Sequence, residues 1–316
     1  MNKKAVLLFS GGLDSSIAFK ILEEDAEIYG VVFSTPFVDI SENVFRIAAT
    51  LGLPLLAKKI GGEYYDILLQ PRYGYGKGVN PCLDCKILML KKAGEYMREL
   101  GAGFIITGEV LGQRPMSQKK KDFIIAEKET GLEGLIVRPL SGKILPPTVP
   151  EKEGAIKREK MLALSGRSRK VQLELARRFN IYGYSTPAGG CILADVAFTR
   201  RVKDAIAHDE ITDEKVEFLK TGRHFRLKNG SKLIIARNEK ESDALKKASK
   251  NFILIEPAQH SGPAAVLTDE KDIPQALSFL ARYNKKAGKF SIAKNGGKAY
   301  SAAGPAAEEE IKKYLI

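Results

Sequence analysis

Apolar and polar positions alternate in blocks along the first third of the chain. Ala5–Phe9 is apolar throughout, as expected of a strand buried on both faces of a parallel sheet. Asp14–Glu24 then places Ile17, Ile21 and Leu22 at helical spacing. Ile28–Phe33 and Leu53–Ile60 read as further strands. Between them, Ser41–Leu51 reads as a helix that Ser41 can cap. Cys85–Leu100 is a long helical stretch, and Phe104–Thr107 a short buried strand. This alternation predicts an α/β fold, a parallel sheet with helices on both faces.

The pattern then loosens. Pro139, Pro146, Pro147 and Pro150 punctuate a turn-rich stretch. Gly154–Leu164 and Ser168–Phe179 read as basic amphipathic helices, 183–195 as a loop and Phe198–Ala207 as a short helix. A boundary near residue 210 divides the chain into domains 1–210 and 211–316. In the second, His224–Leu227 and Lys232–Ala236 flank Asn229-Gly230, a hairpin signal. Helical patterns at Glu239–Ser249 and Pro274–Tyr283 bracket the apolar run Phe252–Glu256, so a smaller C-terminal α/β domain is expected.

Composition narrows the class. The chain has 316 residues, 44% hydrophobic and 28% charged, a globular balance. No apolar run reaches the ~18 residues that span a bilayer. Lys3 and Lys4 before Ala5–Phe9 imitate a signal peptide, but the apolar stretch is short and no small-residue cleavage site comes after it, so a cytoplasmic protein is expected. Lys and Arg number 51 against 38 Asp and Glu, a net charge of +13 that suits a polyanionic partner. Residues 1–210 carry 31 basic and 25 acidic residues and 211–316 carry 20 and 13, so the C-terminal third is the more basic per residue.

The sharpest chemical signal is Ser10-Gly11-Gly12-Leu13-Asp14-Ser15-Ser16, between a buried strand and a helix. Glycines let phosphate oxygens approach the backbone, and N–H groups at a helix start favour an anion. Ser10, Ser15 and Ser16 add hydroxyl donors, and Asp14 suits a phosphate only through a magnesium ion. A Ser/Gly-rich turn is the plainer alternative. The spacing is neither a Walker A loop nor Gly-x-Gly-x-x-Gly. The segment resembles the PP-loop of the ATP pyrophosphatases. That resemblance implies splitting of ATP between the α and β phosphates, adenylation of a carbonyl oxygen, and adenine held near Phe33 and Ser34.

Asn80-Pro81-Cys82-Leu83-Asp84-Cys85-Lys86 precedes a helix, where thiolates are more acidic. The third cysteine, Cys191, comes after Pro187-Ala188-Gly189-Gly190. Three cysteines are one short of a closed zinc site, and His208, His224 and His260 lack ligand-like spacing to them. Three thiolates can hold an iron–sulfur cluster with one iron open. A redox pair or buried thiols is the alternative. The segment is similar to the Asn-Pro-Asp-x-x-Cys of PP-loop tRNA 2-thiouridine synthases, with Cys85 at the cysteine and Cys82 in place of the aspartate. Cys191 is similar in placement to their distant cysteine. Thr107-Gly108-Glu109-Val110-Leu111-Gly112-Gln113 and Arg138-Pro139-Leu140 resemble segments of 4-thiouridine synthases.

Together these resemblances imply ATP-dependent thiolation of a tRNA uridine. Ser10, Gly11, Gly12, Asp14, Ser15, Ser16, Phe33 and Gly108 would bind nucleotide and Mg2+. Cys82, Cys85 and Cys191 would ligate a 4Fe-4S cluster and act with Asp14 in catalysis. Sulfide or a persulfide carrier would supply sulfur. The alternative is a PP-loop ligase or sulfur-insertion enzyme acting on a small molecule. The RNA-binding region that precedes the PP-loop in 4-thiouridine synthases has no room before residue 10. RNA contacts are therefore expected from the C-terminal domain or from Arg167, Arg169, Lys170, Arg177, Arg178, Arg200 and Arg201. Lys119–Lys121 can contact RNA or lie exposed on a helix, and Lys86 can neutralise a substrate oxyanion or cover a helix surface. Gly222–Arg226 with Ile235–Asn238 resembles a small domain of nucleic-acid or ribosome-related factors. Oligomeric state is not legible.

Overall fold

The computed structural model describes residues 3–184, 191–284, 289–292, 298–302 and 304–316. The chain divides into two units, Met1–Ala194 and Asp195–Ile316. This division comes earlier than residue 210. The helix Val196–Ala207 belongs to the C-terminal unit, because its Asp204 pairs with Arg226 and Lys232.

The N-terminal unit is built on five parallel strands in the order β3-β2-β1-β4-β5. They are β1 (Lys4–Leu8), β2 (Glu27–Ser34), β3 (Leu55–Lys59), β4 (Phe104–Thr107) and β5 (Ile136–Val137). The central position of β1 explains its apolar sequence, since Ala5, Val6 and Leu7 are fully buried between its neighbours. The helices are α1 (Leu13–Leu22), α2 (Glu42–Leu51), α3 (Glu63–Leu69), α4 (Cys82–Glu99), α5 (Lys120–Thr130), α6 (Val149–Lys152) and α7 (Lys170–Arg178). Ser41 caps α2 as expected, its Oγ accepting the Asn43 N–H at 3.2 Å. Gly52, at φ +69°, closes that helix in the left-handed region. The long helix α4 begins one turn earlier than its apolar pattern suggested. Leu83, Ile87, Leu90, Ala93 and Met97 form its buried stripe.

Two expectations for the middle of the chain change. Gly154–Leu164 is not a helix and holds only a 3-10 turn, Arg158–Lys160. Gly154, at φ +67°, follows α6, and after the 3-10 turn the chain becomes extended at Met161. The Leu162 and Leu164 N–H groups donate to Pro139 and Leu140 carbonyls at 2.8 Å each, and Met161 is fully buried. Of the expected loop 183–195, the stretch Pro187–Gly190 lies outside the described residues.

The C-terminal unit holds α8 (Val196–Ala207), α9 (Asp213–Leu219), α10 (Glu239–Ala248), α11 (Ile273–Tyr283) and α12 (Glu308–Tyr314). Its six strands, in the order β11-β10-β8-β9-β7-β6, pair antiparallel throughout. They are β6 (Arg223–Arg226), β7 (Lys232–Ile235), β8 (Ile253–Pro257), β9 (Ala265–Leu267), β10 (Lys289–Ile292) and β11 (Lys298–Ser301). The Asn229-Gly230 hairpin joins β6 to β7, with Gly230 at φ +87°. Phe225, Leu233, Ile253, Ile255, Phe279 and Phe290 are the fully buried centre of this unit.

Candidate active site

All five strands of the N-terminal unit point the same way, so their carboxyl ends share one edge. At that edge the connection leaves β1 toward β2 on one side, while β4 lies on the other. Open parallel sheets bind ligands at such a reversal of strand order. Ser10–Gly12 leaves β1 there and leads straight into α1. Gly11 adopts φ +66°, and a Cβ on it would come within 3.0 Å of the Val44 backbone. The turn is held from within: the Ser15 and Ser16 hydroxyls each donate to the Gly12 carbonyl at 3.0 Å. Gly108, just after β4, packs so closely that a Cβ would lie 2.6 Å from Asp14 and Ser15 backbone atoms. A side chain there would displace the loop. Phe33 is buried at the end of β2, on the same edge.

Asp14 sits in the first turn of α1 with half its carboxylate satisfied. Its Oδ2 accepts from Gln113 Nε2 at 3.1 Å and lies 3.7 Å from Arg169 Nη2. Its Oδ1 is buried without a hydrogen-bond partner. An orphaned carboxylate oxygen beside a phosphate-type loop fits a divalent cation, which supplies the missing partner.

Cys191, far in sequence from the Cys82–Cys85 pair, is brought near it. Cys82 and Cys85 occupy the first turn of α4. The Val79 N–H donates to the Leu193 carbonyl at 3.0 Å, which ties the segment before Cys82 to the one after Cys191. All three thiols are free and half-buried. Burial pushes each thiol up, Cys85 to about 11, and the Cys191 charge adds to the rise at Cys82 and Cys85. The expected acidity of a helix start is therefore reversed, because loss of water outweighs the nearby cations Lys86 and Arg114. Among the described residues no three His, Cys, Asp or Glu side chains are gathered tightly enough for a single metal ion. The thiols lie near enough for Cys82 and Cys85 each to sense the charge of Cys191.

Three residues at this site escaped sequence reasoning. Tyr64, on α3, is buried and hydrogen-bonds to Cys85, and burial together with the thiol charges pushes its hydroxyl up. Arg114 lowers the pKa of both Cys82 and Cys191. Glu109 is the third, and its side chain is only 4% exposed. It accepts from Thr107 Oγ1 at 3.0 Å and Arg138 Nε at 3.2 Å, and its Oε1 lies 3.2 Å from Lys86 Nζ. Burial favours the neutral acid, yet Lys86 and Arg138 together hold Glu109 below the usual carboxylate range. Arg138 also pairs with Glu127 and lies 4.0 Å over the Phe123 ring. Glu109 and Arg138 fall inside motifs visible in the sequence, but no spacing rule pairs them. Lys86 thus does more than cover a helix: it is anchored to a buried carboxylate next to Cys85.

Two of the expected cationic RNA contacts are otherwise engaged. The Arg201 guanidinium donates to the Leu219 carbonyl at 3.0 Å, and Arg169 lies beside Asp14.

Comparison with known proteins divides the chain the same way. Residues 1–144 match the family model described as thiamine biosynthesis protein (ThiI). Residues 222–315 match that of the NFACT protein RNA binding domain. A tRNA-specific 2-thiouridylase MnmA of Listeria monocytogenes is 31% identical over 123 residues, 33% of this chain and 32% of that protein. A probable tRNA sulfurtransferase of Thermococcus kodakarensis is 29% identical over 149 residues, 44% of this chain and 37% of that protein. The chain spans about a third of the length of these curated relatives. A solved structure titled as a predicted subunit of tRNA methyltransferase from Methanocaldococcus jannaschii aligns over 55% of this chain and 75% of that one. Its sequence identity is 14% and its TM-score 0.37. Among the described residues, no helix is long and apolar enough to cross a membrane.

Proposed function

We propose that this protein is an ATP-dependent tRNA thiolase of the cytoplasm that adenylates a uridine carbonyl oxygen and replaces it with sulfur. One observation carries the reading: a single unit holds both an orphaned Asp14 carboxylate at a phosphate-type loop and three converging thiols, with Glu109 between them. Glu109 is next in the chain to Gly108, which packs on Asp14, and it also anchors Lys86 beside Cys85. The matches to 2-thiouridylase and sulfurtransferase sequences support the same chemistry.

ATP binds with its phosphates on the backbone N–H groups of Ser10–Ser16, at the positive end of α1. Asp14 would hold a magnesium ion, which would neutralise charge on the departing pyrophosphate. The uridine oxygen attacks the α-phosphate, pyrophosphate leaves, and the base now carries AMP as a good leaving group. Lys86, fixed by Glu109, neutralises negative charge as sulfur displaces AMP. Cys82, Cys85 and Cys191 would hold a 4Fe-4S cluster, which would supply an iron without a protein ligand for sulfide to bind.

The test is anaerobic purification with iron and sulfide analysis, and then pyrophosphate release with and without tRNA. Iron lost on Cys82→Ser, Cys85→Ser or Cys191→Ser, and tRNA-dependent pyrophosphate release, are expected. Stoichiometric zinc without iron contradicts the cluster. Pyrophosphate release driven by a small molecule in place of tRNA contradicts the substrate.

A further inference from the structure

Beside Cys82, on a wall that none of the Ser10–Ser16 residues joins, lies a cavity of about 170 Å³. Tyr73, Met116, Lys119 and Lys121 help to line it. Gly74 and Gly76 contribute backbone without side chains, and a Cβ at Gly76 would press within 3.2 Å of Met116. The rim is cationic. Its Lys119 and Lys121 are exposed, as are Arg114 and Lys120 nearby in the chain, and among the described residues none of these four side chains forms an ion pair. Lys58 and Lys92 of the same unit are paired instead, with Glu99 at 2.9 Å and Glu63 at 3.1 Å. The nearest acid in sequence, Asp122, also lines the cavity; it is buried, accepts the Lys119 backbone N–H at 3.0 Å and forms no ion pair with the lysine side chains.

We propose that this cavity is an RNA subsite of the N-terminal unit: one unpaired base enters it against Tyr73, and Lys119 and Lys121 hold the flanking phosphates. The proposal rests on the thiolase reading and adds where the substrate strand is gripped. An aromatic ring beside a cationic groove is how single-stranded nucleic acid is bound without base-specific contacts. The cavity has room for one ring system, and its open side carries cations two residues apart. An acidic segment of a protein would satisfy the lysines but would leave the ring-sized slot at Tyr73 unused.

The test compares the full-length wild-type chain with a Lys119→Glu/Lys121→Glu variant in tRNA binding across a salt series. Both side chains are exposed, so the fold should persist. Losing two phosphate contacts should make the log–log slope shallower by about 1.4–1.8. Tyr73→Ala should weaken binding without changing the slope, and the KM for ATP should stay unchanged in both. Wild-type slope and affinity in the double variant would overturn the proposal. So would unchanged RNA binding with lost sulfur transfer from an acidic carrier protein, which would assign the rim to that protein. Because the readout is binding, it is separate from the thiolase reading. Wild-type protein that binds tRNA yet makes no thiouridine contradicts that reading alone.

Discussion

In the C-terminal unit, Arg226, Lys232, Asp204 and Glu210 close on one another. The Arg226 guanidinium reaches both carboxylates at 2.6 Å, and Lys232 lies 3.0 Å from Asp204. In the N-terminal unit, Asp14 keeps one buried oxygen unpaired, and three thiols share a site that burial makes unfavourable for their charged forms. The first arrangement satisfies charge inside the fold and so serves structure. The second leaves partners missing, and missing partners mark where a ligand completes the chemistry. The more basic unit therefore spends part of its charge on itself, and net charge alone misstates where function lies.

The largest expected effect breaks the incomplete site. Asp14→Asn should lower tRNA-dependent pyrophosphate release by at least about 10²-fold, as for loss of a group that stabilises transition-state charge. Its melting temperature should stay close to wild type, since Oδ1 makes no hydrogen bond to lose. Wild-type turnover would show that the orphaned oxygen has no catalytic partner. Next comes the closed site. Asp204→Ala should destabilise the C-terminal unit by roughly 2–4 kcal/mol, because Arg226 and Lys232 lose a largely buried partner. Hydrogen exchange in β6 and β7 reads that loss, and unchanged protection would mean the cluster contributes nothing to stability.

Glu109→Gln probes the link between loop and thiols. It should reduce thiolation by roughly 10–100-fold, the usual cost of losing a residue that orients a reacting group. ATP–pyrophosphate exchange should fall less, because Lys86 acts after adenylation. An equal fall in both would place Glu109 in nucleotide binding instead.

The smallest effect is on pH. Burial, then the charges of Lys232 and Arg201, hold His224 well below 6.5, against weaker support from Thr221 and Asp204. The unfolded chain takes up a proton near pH 6.5 and the folded chain does not, so stability is lost as pH falls below that value. Denaturant midpoints of the C-terminal unit should begin to drop there and those of His224→Phe should not. The carboxylates Asp204, Glu210 and Glu109, held below their ordinary values, lose their contribution only at lower pH.

Much of this contrast was legible in the sequence where chemistry and pattern coincide. Ser10–Ser16 stood out because the apolar run of β1 stops there and a helical period starts. The Asn229-Gly230 hairpin was equally plain. What escaped was long-range pairing. Tyr64 lies in a stretch that carries no motif, and nothing local ties it to Cys85. Glu109 and Lys86 are 23 residues apart, one just after β4 and the other on α4, and they meet because α4 packs against β4. Gly154–Leu164 misled because its apolar residues serve an extended segment pinned to Pro139 and Leu140, which a helical period imitates.

The central claim is that the incomplete site of the N-terminal unit activates a tRNA uridine with ATP and replaces its oxygen with sulfur. The most direct measurement incubates anaerobically purified protein with unmodified tRNA, ATP, magnesium and sulfide. The tRNA is then digested to nucleosides for mass spectrometry while the adenine nucleotides are assayed. Thiouridine formed in step with AMP and pyrophosphate is the predicted result. ADP and phosphate as the products, or AMP formed with no thiouridine in the tRNA, would contradict it.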